Sequence, residues 1–89
     1  MQHKYTWDEP KRVSNIEKHG IDFQDAVEVF SDPDALSFRS SAEHNEDRYL
    51  TIGRCNGRVI TVVFTWRDEA IRLISARAAR KEERQRYGP

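Results

Sequence analysis

The sequence predicts an α+β domain: two N-terminal helices, an antiparallel sheet of about four strands, and a C-terminal helix. Three observations predict it. Capping residues and helical apolar spacing mark the first third of the chain. Period-two alternation with turn signals marks the middle, and the stretch Arg77 to Tyr87 consists of helix formers. The chain has 89 residues, so residues 1–89 are expected to share one core and form a single domain.

Tyr5-Thr6-Trp7 reads as a short strand or a packed lead-in. Asp8-Glu9-Pro10 then opens a helix, because an aspartate accepts from free first-turn amides and proline tolerates that turn. Val13 and Ile16 give this helix an apolar side, and Gly20 after His19 supplies its stop. Asp22 caps a second helix, in which Phe23, Ala26, Val27 and Phe30 recur at helical spacing and are expected to face the core; Asp32-Pro33-Asp34 ends it. Leu36 and Phe38 alternate with polar neighbours, as do Leu50 and Ile52. Arg58 to Trp66 is the clearest strand, with Ile60, Val62, Phe64 and Trp66 on one face. Asn56-Gly57 before it is the dipeptide of a tight hairpin turn. Arg67-Asp68-Glu69 turns again, Ile71 to Ala76 makes the fourth strand, and Arg77 to Tyr87 closes the chain as a helix.

Net charge is zero, yet its distribution is uneven. From Asp22 to Asp47 there are eight acidic residues and one basic one, Arg39, whereas from Arg72 to Arg86 there are six basic and two acidic residues. Such segregation makes a dipolar surface, one end suited to phosphate and the other to a basic partner. No apolar run reaches membrane-spanning length, and the N-terminus lacks a signal-like apolar stretch. The lone Cys55 cannot form an internal disulfide, which fits a reducing compartment. A soluble, cytoplasmic protein is expected, with no membrane contact.

Metal and nucleotide chemistry find no motif. His3, His19 and His44 are far apart, no Cys or His pair has ligand spacing, and no Gly-rich phosphate loop is present. No metal and no cofactor are expected. What remains is cationic. Lys11, Asn15 and Lys18 lie at i, i+4 and i+7 of the first helix, with His19 at its end, either a dipole-favoured terminal histidine or a proton carrier. Arg77, Arg80, Lys81 and Arg84 fall at i, i+3, i+4 and i+7 of the expected last helix, with Glu83 and Tyr87 one turn apart beside them. That stripe is either a solvated face or a phosphate clamp. Arg48 and Arg72, set among apolar strand residues, call for an anionic partner. Together these groups suit RNA cleavage without metal, which needs a base for the ribose 2′-hydroxyl, cations for the phosphorane, and an acid for the leaving oxygen.

Several ordered motifs carry a resemblance. Trp7-Asp8-Glu9-Pro10-Lys11, Asn15, Lys18-His19-Gly20-Ile21 and Phe23 resemble the opening signature of BrnT toxins. Arg48-Tyr49-Leu50-Thr51-Ile52-Gly53, Ile71-Arg72-Leu73-Ile74-Ser75-Ala76-Arg77, Glu83-Arg84 and Tyr87 extend the likeness across Tyr5 to Tyr87. Two positions depart from it: Ala78 stands where a basic residue is usual, and Arg80 where threonine is common. The resemblance implies a RelE-like fold and a ribonuclease toxin of a type II toxin–antitoxin system, acting without cofactor. It further implies a BrnA-like ribbon-helix-helix antitoxin, with operator DNA bound only through the complex. By motif position it makes Lys11, His19, Arg48, Arg77, Glu83 and Tyr87 candidates for catalysis. Arg72, Arg80, Lys81, Arg84 and Lys18 are candidates for holding substrate. The rival expectation is a non-catalytic regulatory protein that binds nucleic acid or a partner.

Overall fold

The chain begins with a strand that joins the sheet, so the described residues form five strands rather than about four. The structure is a computed structural model and describes residues 4–40 and 47–88; His3 and His44 lie outside them. In chain order the elements are β1 (Lys4–Thr6), α1 (Glu9–His19), α2 (Phe23–Ala26), a 3₁₀ turn (Val27–Ser31), β2 (Leu36–Arg39), β3 (Tyr49–Cys55), β4 (Arg58–Arg67), β5 (Ala70–Ala78) and α3 (Lys81–Tyr87). The sheet order is β1-β5-β4-β3-β2. β2 to β5 pair antiparallel, while β1 pairs parallel to β5, with Tyr5 opposite Ile71. A parallel neighbour contributed from the far end of the chain carries no local turn signal, which is why Tyr5-Thr6-Trp7 alone leaves its pairing open.

The helix starts follow the sequence. Asp8 accepts from the Lys11 amide, Gly20 ends α1 in the left-handed region at φ 70°, and Asp22 accepts from the Gln24 amide while holding Arg12 at 2.9 Å. The second helix is shorter than its apolar pattern suggests. After Ala26 it tightens into the 3₁₀ turn, and the residues buried are Phe23, Ala26 and Val29, a period of three. Val27 and Phe30 are only partly buried against this core. Val29 presses on β3 at Gly53, where an added Cβ would stand 2.8 Å from the Val29 Cβ, so only glycine fits. The core lies between this helical layer and one sheet face and includes Ile60, Val62, Phe64, Ile71, Leu73 and Ala76.

Helix α1 packs differently from the expected apolar stripe. Val13 and Ile16 are 47% and 38% exposed, and its buried residue is Asn15. Beyond the three residues paired with β1, the outer edge of β5 has open ladder groups. Asn15 seals them. Its side-chain oxygen accepts from the Ala76 amide at 3.1 Å, and its amide nitrogen donates to the carbonyls of Ala76 and Ile21, each at 2.9 Å. One carboxamide thus substitutes for a missing strand, which explains why a helix can sit against a sheet edge with little apolar surface.

Both tight hairpins have two left-handed residues. Asn56-Gly57 (φ 50° and 78°) is the expected turn between β3 and β4. Asp68-Glu69 (φ 52° and 64°) joins β4 to β5 without glycine, and a glutamate in that region is strained.

Two stability measurements test this account. Asn15→Ala strands a buried amide and carbonyl, and should lower unfolding free energy by about 2–3 kcal/mol, read as a lower urea midpoint at unchanged slope. Glu69→Gly removes the backbone strain and should raise the midpoint by the equivalent of roughly 0.5–1 kcal/mol. A neutral Asn15→Ala would mean the sheet edge is solvated rather than sealed.

Candidate active site on the open face of the sheet

Strand β5 does not alternate regularly. Val63 of β4 lies opposite Ser75, but the next residue, Phe64, lies opposite Leu73, so Ile74 is an extra residue on β5. This bulge changes which side chains share a face. Residues 61, 63 and 65 of β4 alternate onto the face away from the helical core, and their partners are Arg77, Ser75 and Arg72. In an uninterrupted strand, residues five apart would point to opposite faces. The bulge turns both arginines to the same side, while Leu73 and Ala76 both stay in the core. All three of Arg72, Ser75 and Arg77 are half-buried.

Arg77 therefore belongs to β5 and not to the last helix, which begins at Lys81. This overturns the expected helical stripe of Arg77, Arg80, Lys81 and Arg84. Alternation in Arg-Ala at the strand end is indistinguishable by composition from the start of an Ala- and Arg-rich helix. The structure nevertheless joins Arg77 to the helix through Glu83. Arg77 Nη1 donates to Glu83 Oε1 at 2.7 Å and Nη2 to Oε2 at 3.0 Å, a two-point fork. The Thr61 hydroxyl donates to the same carboxylate at 2.9 Å, and the Arg80 amide, at the start of α3, at 2.7 Å. Side-chain exposure is 18% for Arg77 and 15% for Glu83, so the pair is largely out of water. The Arg77 guanidinium, with the other donors, holds the Glu83 carboxyl at about 2 against an ordinary 4.5, overcoming the opposite push of burial.

At the outer edge of β5, Lys11, Ser14, Asn15, Lys18 and His19 of α1 line a hollow of about 190 Å³ with Ile74 and Ser75. The structure brings these α1 side chains together, and Ser75 is common to this hollow and to the face that carries Arg72 and Arg77. The fold thus sets Lys11, Lys18 and His19 at the edge of the strand whose face carries Arg72 and the Glu83-paired Arg77.

Other expected residues stand elsewhere. Arg48 directly precedes β3, half-buried, and its carbonyl accepts from the Ser40 amide at 2.7 Å. The Tyr87 hydroxyl donates to Asp32 Oδ2 at 2.6 Å, which lowers the Asp32 pKa and raises that of Tyr87. Asp32 also accepts from the Arg54 and Asp34 amides, so Tyr87 fastens the end of α3 to the loop before β2. Arg80 is exposed at the start of α3, and Lys81 and Arg84 line an open hollow of about 390 Å³ on its outer side with Gln85 and Gly88. Thr61 and Ser75 escaped the sequence reading. The available signal was only a hydroxyl residue among the apolar neighbours of each strand, Ile60 and Val62 about Thr61 and Ile74 and Ala76 about Ser75.

The described residues form a small α+β domain with a half-buried arginine–carboxylate fork on one face of its sheet and a lysine- and histidine-lined hollow at the edge beside it. Residues 7–83 match the family of the ribonuclease toxin BrnT of type II toxin–antitoxin systems, and the chain belongs to that family. No curated protein matches it significantly in sequence. The family brings an RNA target and an antitoxin partner. Among the described residues no helix is long and apolar enough to cross a membrane.

The Glu83 geometry has a measurable consequence in acid. Its folded-state pKa lies below its unfolded value, so the stabilisation is complete above about 4.5 and is lost as pH falls toward 2. Glu83→Gln should therefore cost on the order of 2 kcal/mol at neutral pH, and the gap from wild type should close across that acid window. A gap that is independent of pH would refute the ionic role.

Proposed function

We propose that this chain is a metal-independent endoribonuclease toxin. It cleaves RNA by attack of a ribose 2′-oxygen on the adjacent phosphorus. A base takes the 2′-hydroxyl proton, the new P–O bond forms as the bond to the 5′-oxygen breaks, and an acid protonates that leaving oxygen. The products are a 2′,3′-cyclic phosphate and a 5′-hydroxyl end. The observation that carries this reading is Ser75, which lies both on the sheet face with Arg72 and Arg77 and in the hollow with Lys11, Lys18 and His19. A phosphodiester over Ser75 meets guanidinium groups from one side and proton-carrying groups from the other.

Roles follow from the surroundings. Arg77 and Arg72 hold the phosphate and stabilise its added charge, with Arg48 contributing near the same end of the sheet as Arg72. A carboxylate held near 2 has too little proton affinity to deprotonate a ribose hydroxyl, so Glu83 serves to aim Arg77. Tyr87 is engaged by Asp32. Proton transfer therefore falls to His19 and Lys11. Lys18, Arg80, Lys81 and Arg84 guide the flanking backbone. A BrnA-like ribbon-helix-helix antitoxin holds the toxin inactive, and operator DNA is met only through that complex.

The test is cleavage of end-labelled single-stranded RNA in excess chelator. Wild type should cleave with chelator present, whereas Arg77→Ala and His19→Ala should each fall by roughly 10²- to 10³-fold. Activity abolished by chelator removes the metal-independent chemistry, and equal cleavage by both variants removes the site. A protein that neither cleaves RNA nor arrests growth when induced, yet binds a partner tightly, would instead be the non-catalytic regulator.

A further inference from the structure

The helical layer does not cover the whole core face. At the end of the sheet where β3 begins and β4 finishes, another hollow, of about 460 Å³, opens, walled by aromatic rings. Tyr49 and Phe64 stack with centroids 5.6 Å apart, and Trp66, 46% exposed, stands beside them at the mouth. Polar groups converge on the same space. The hydroxyls of Ser37 and Thr51 share one hydrogen bond at 2.9 Å, which leaves the pair one further O–H donor and free lone pairs. Arg39, exposed and held by Asp47 at 2.6 Å, adds a guanidinium at the rim.

We infer that this hollow is a nucleobase subsite, taking one unpaired base of the RNA held on the opposite face of the sheet. This rests on the proposed function for its substrate. Three observations carry it. First, aromatic walls with a few hydroxyl and guanidinium donors suit a flat heterocycle, and an apolar side chain would leave those polar groups unused. Second, 460 Å³ exceeds the size of a single base, leaving room for its sugar at the mouth. Third, the position is right. Trp66 pairs with Ile71, and the neighbouring rung of the same ladder is Thr65 with Arg72. The cationic face and the aromatic hollow therefore meet at one end of the sheet, one rung apart. A strand that passes Arg77 and Arg72 reaches this end, and its next base turns over it onto Trp66. The base preference of cleavage is set here, several residues away from the reacting phosphate.

The experiment uses the whole protein and a single-stranded RNA octamer methylated at every 2′-oxygen, which blocks the attacking group, against an abasic octamer of equal length. The chain has two tryptophans, so fluorescence resolves them by substitution. The base-bearing octamer should quench emission in wild type and in Trp7→Phe, but not in Trp66→Phe, and the abasic octamer should bind without quenching. Trp66→Ala should weaken binding of the base-bearing octamer roughly 5- to 100-fold and flatten the base preference at mapped cleavage sites. Arg39→Gln, also exposed and outside the core, should shift that preference while preserving the fold. Equal quenching by the abasic octamer, or Trp66→Ala with unchanged affinity and pattern, overturns the subsite. So does loss of only antitoxin binding, which would make the hollow a protein-docking site. Binding and quenching without any cleavage would sink the proposed catalysis and leave the subsite standing.

Discussion

The bulge at Ile74 is the constraint on which the arrangement of this molecule depends. A strand with strict alternation cannot put Leu73 and Ala76 into one core, since they stand three positions apart. It equally cannot put Arg72 and Arg77 on one open face. One inserted residue satisfies both demands together. The apolar demand is the stronger. Leu73 and Ala76 are 1% and 0% exposed, and burying them outweighs the single ladder position that the bulge disrupts. The placement of both arginines on one face is thus held by core packing on the other side of the sheet, and the cations themselves need supply none of that energy.

Two polar anchors keep this register from slipping. On the outer edge, Asn15 engages both backbone groups of Ala76, immediately past the bulge. A slip of one residue would present the wrong residue to its carboxamide and strand buried polar groups on both partners. On the open face, Glu83 receives Arg77, Thr61 and the amide of Arg80, the residue that caps α3, at one carboxylate. A short helix of seven residues has little intrinsic stability in water, so α3 depends on this contact and on the Tyr87–Asp32 bond at its other end. Removing either member of the Arg77–Glu83 pair leaves the other charge poorly solvated, a larger penalty than the pair's net worth. The placement of Arg77 and the docking of the last helix are in this way one structural problem.

Local chemistry was readable from the sequence and longer-range pairing was not. Asp8, Gly20, Asp22 and Asn56-Gly57 act on backbone within four residues of themselves, and each behaves as its residue type requires. The strand Arg58 to Trp66 is legible because every second position, Ile60, Val62, Phe64 and Trp66, is apolar and the residues are rich in β-branched types. The pairing of β1 with β5 joins Tyr5 to Ile71, and no short-range pattern reports such a contact. The 3₁₀ turn hides within an apolar set, Phe23 to Phe30, that fits periods of three and of nearly four about equally well. Arg77 falls in β5 rather than in the expected helix because Ala-Arg sequences suit a strand end and a helix start alike. At the candidate site, the cationic residues stood out by type, but Thr61 and Ser75 did not. A hydroxyl on a half-buried strand is ordinary, and only the register through the bulge gives these two a meaning.

Zero net charge is unusual for a protein that handles a polyanion, and the two faces of the sheet account for it. The acidic residues Asp22, Asp25, Glu28, Asp32 and Asp34 lie on the helical layer and the loop after it, while Arg72 and Arg77 lie across the sheet. The thickness of the sheet and its core separates the two sets, and screening by water and salt limits their mutual cancellation although the total is neutral. Long-range attraction is nevertheless weaker than for a basic protein, and phosphate contacts alone fade as salt rises. Stacking of a base on Trp66 does not depend on charge, and it adds affinity at the end of the sheet that phosphate contacts leave unused. A neutral toxin can therefore hold RNA by combining few phosphate contacts with one aromatic anchor, and its affinity should depend less steeply on salt than that of a protein relying on lysines and arginines alone.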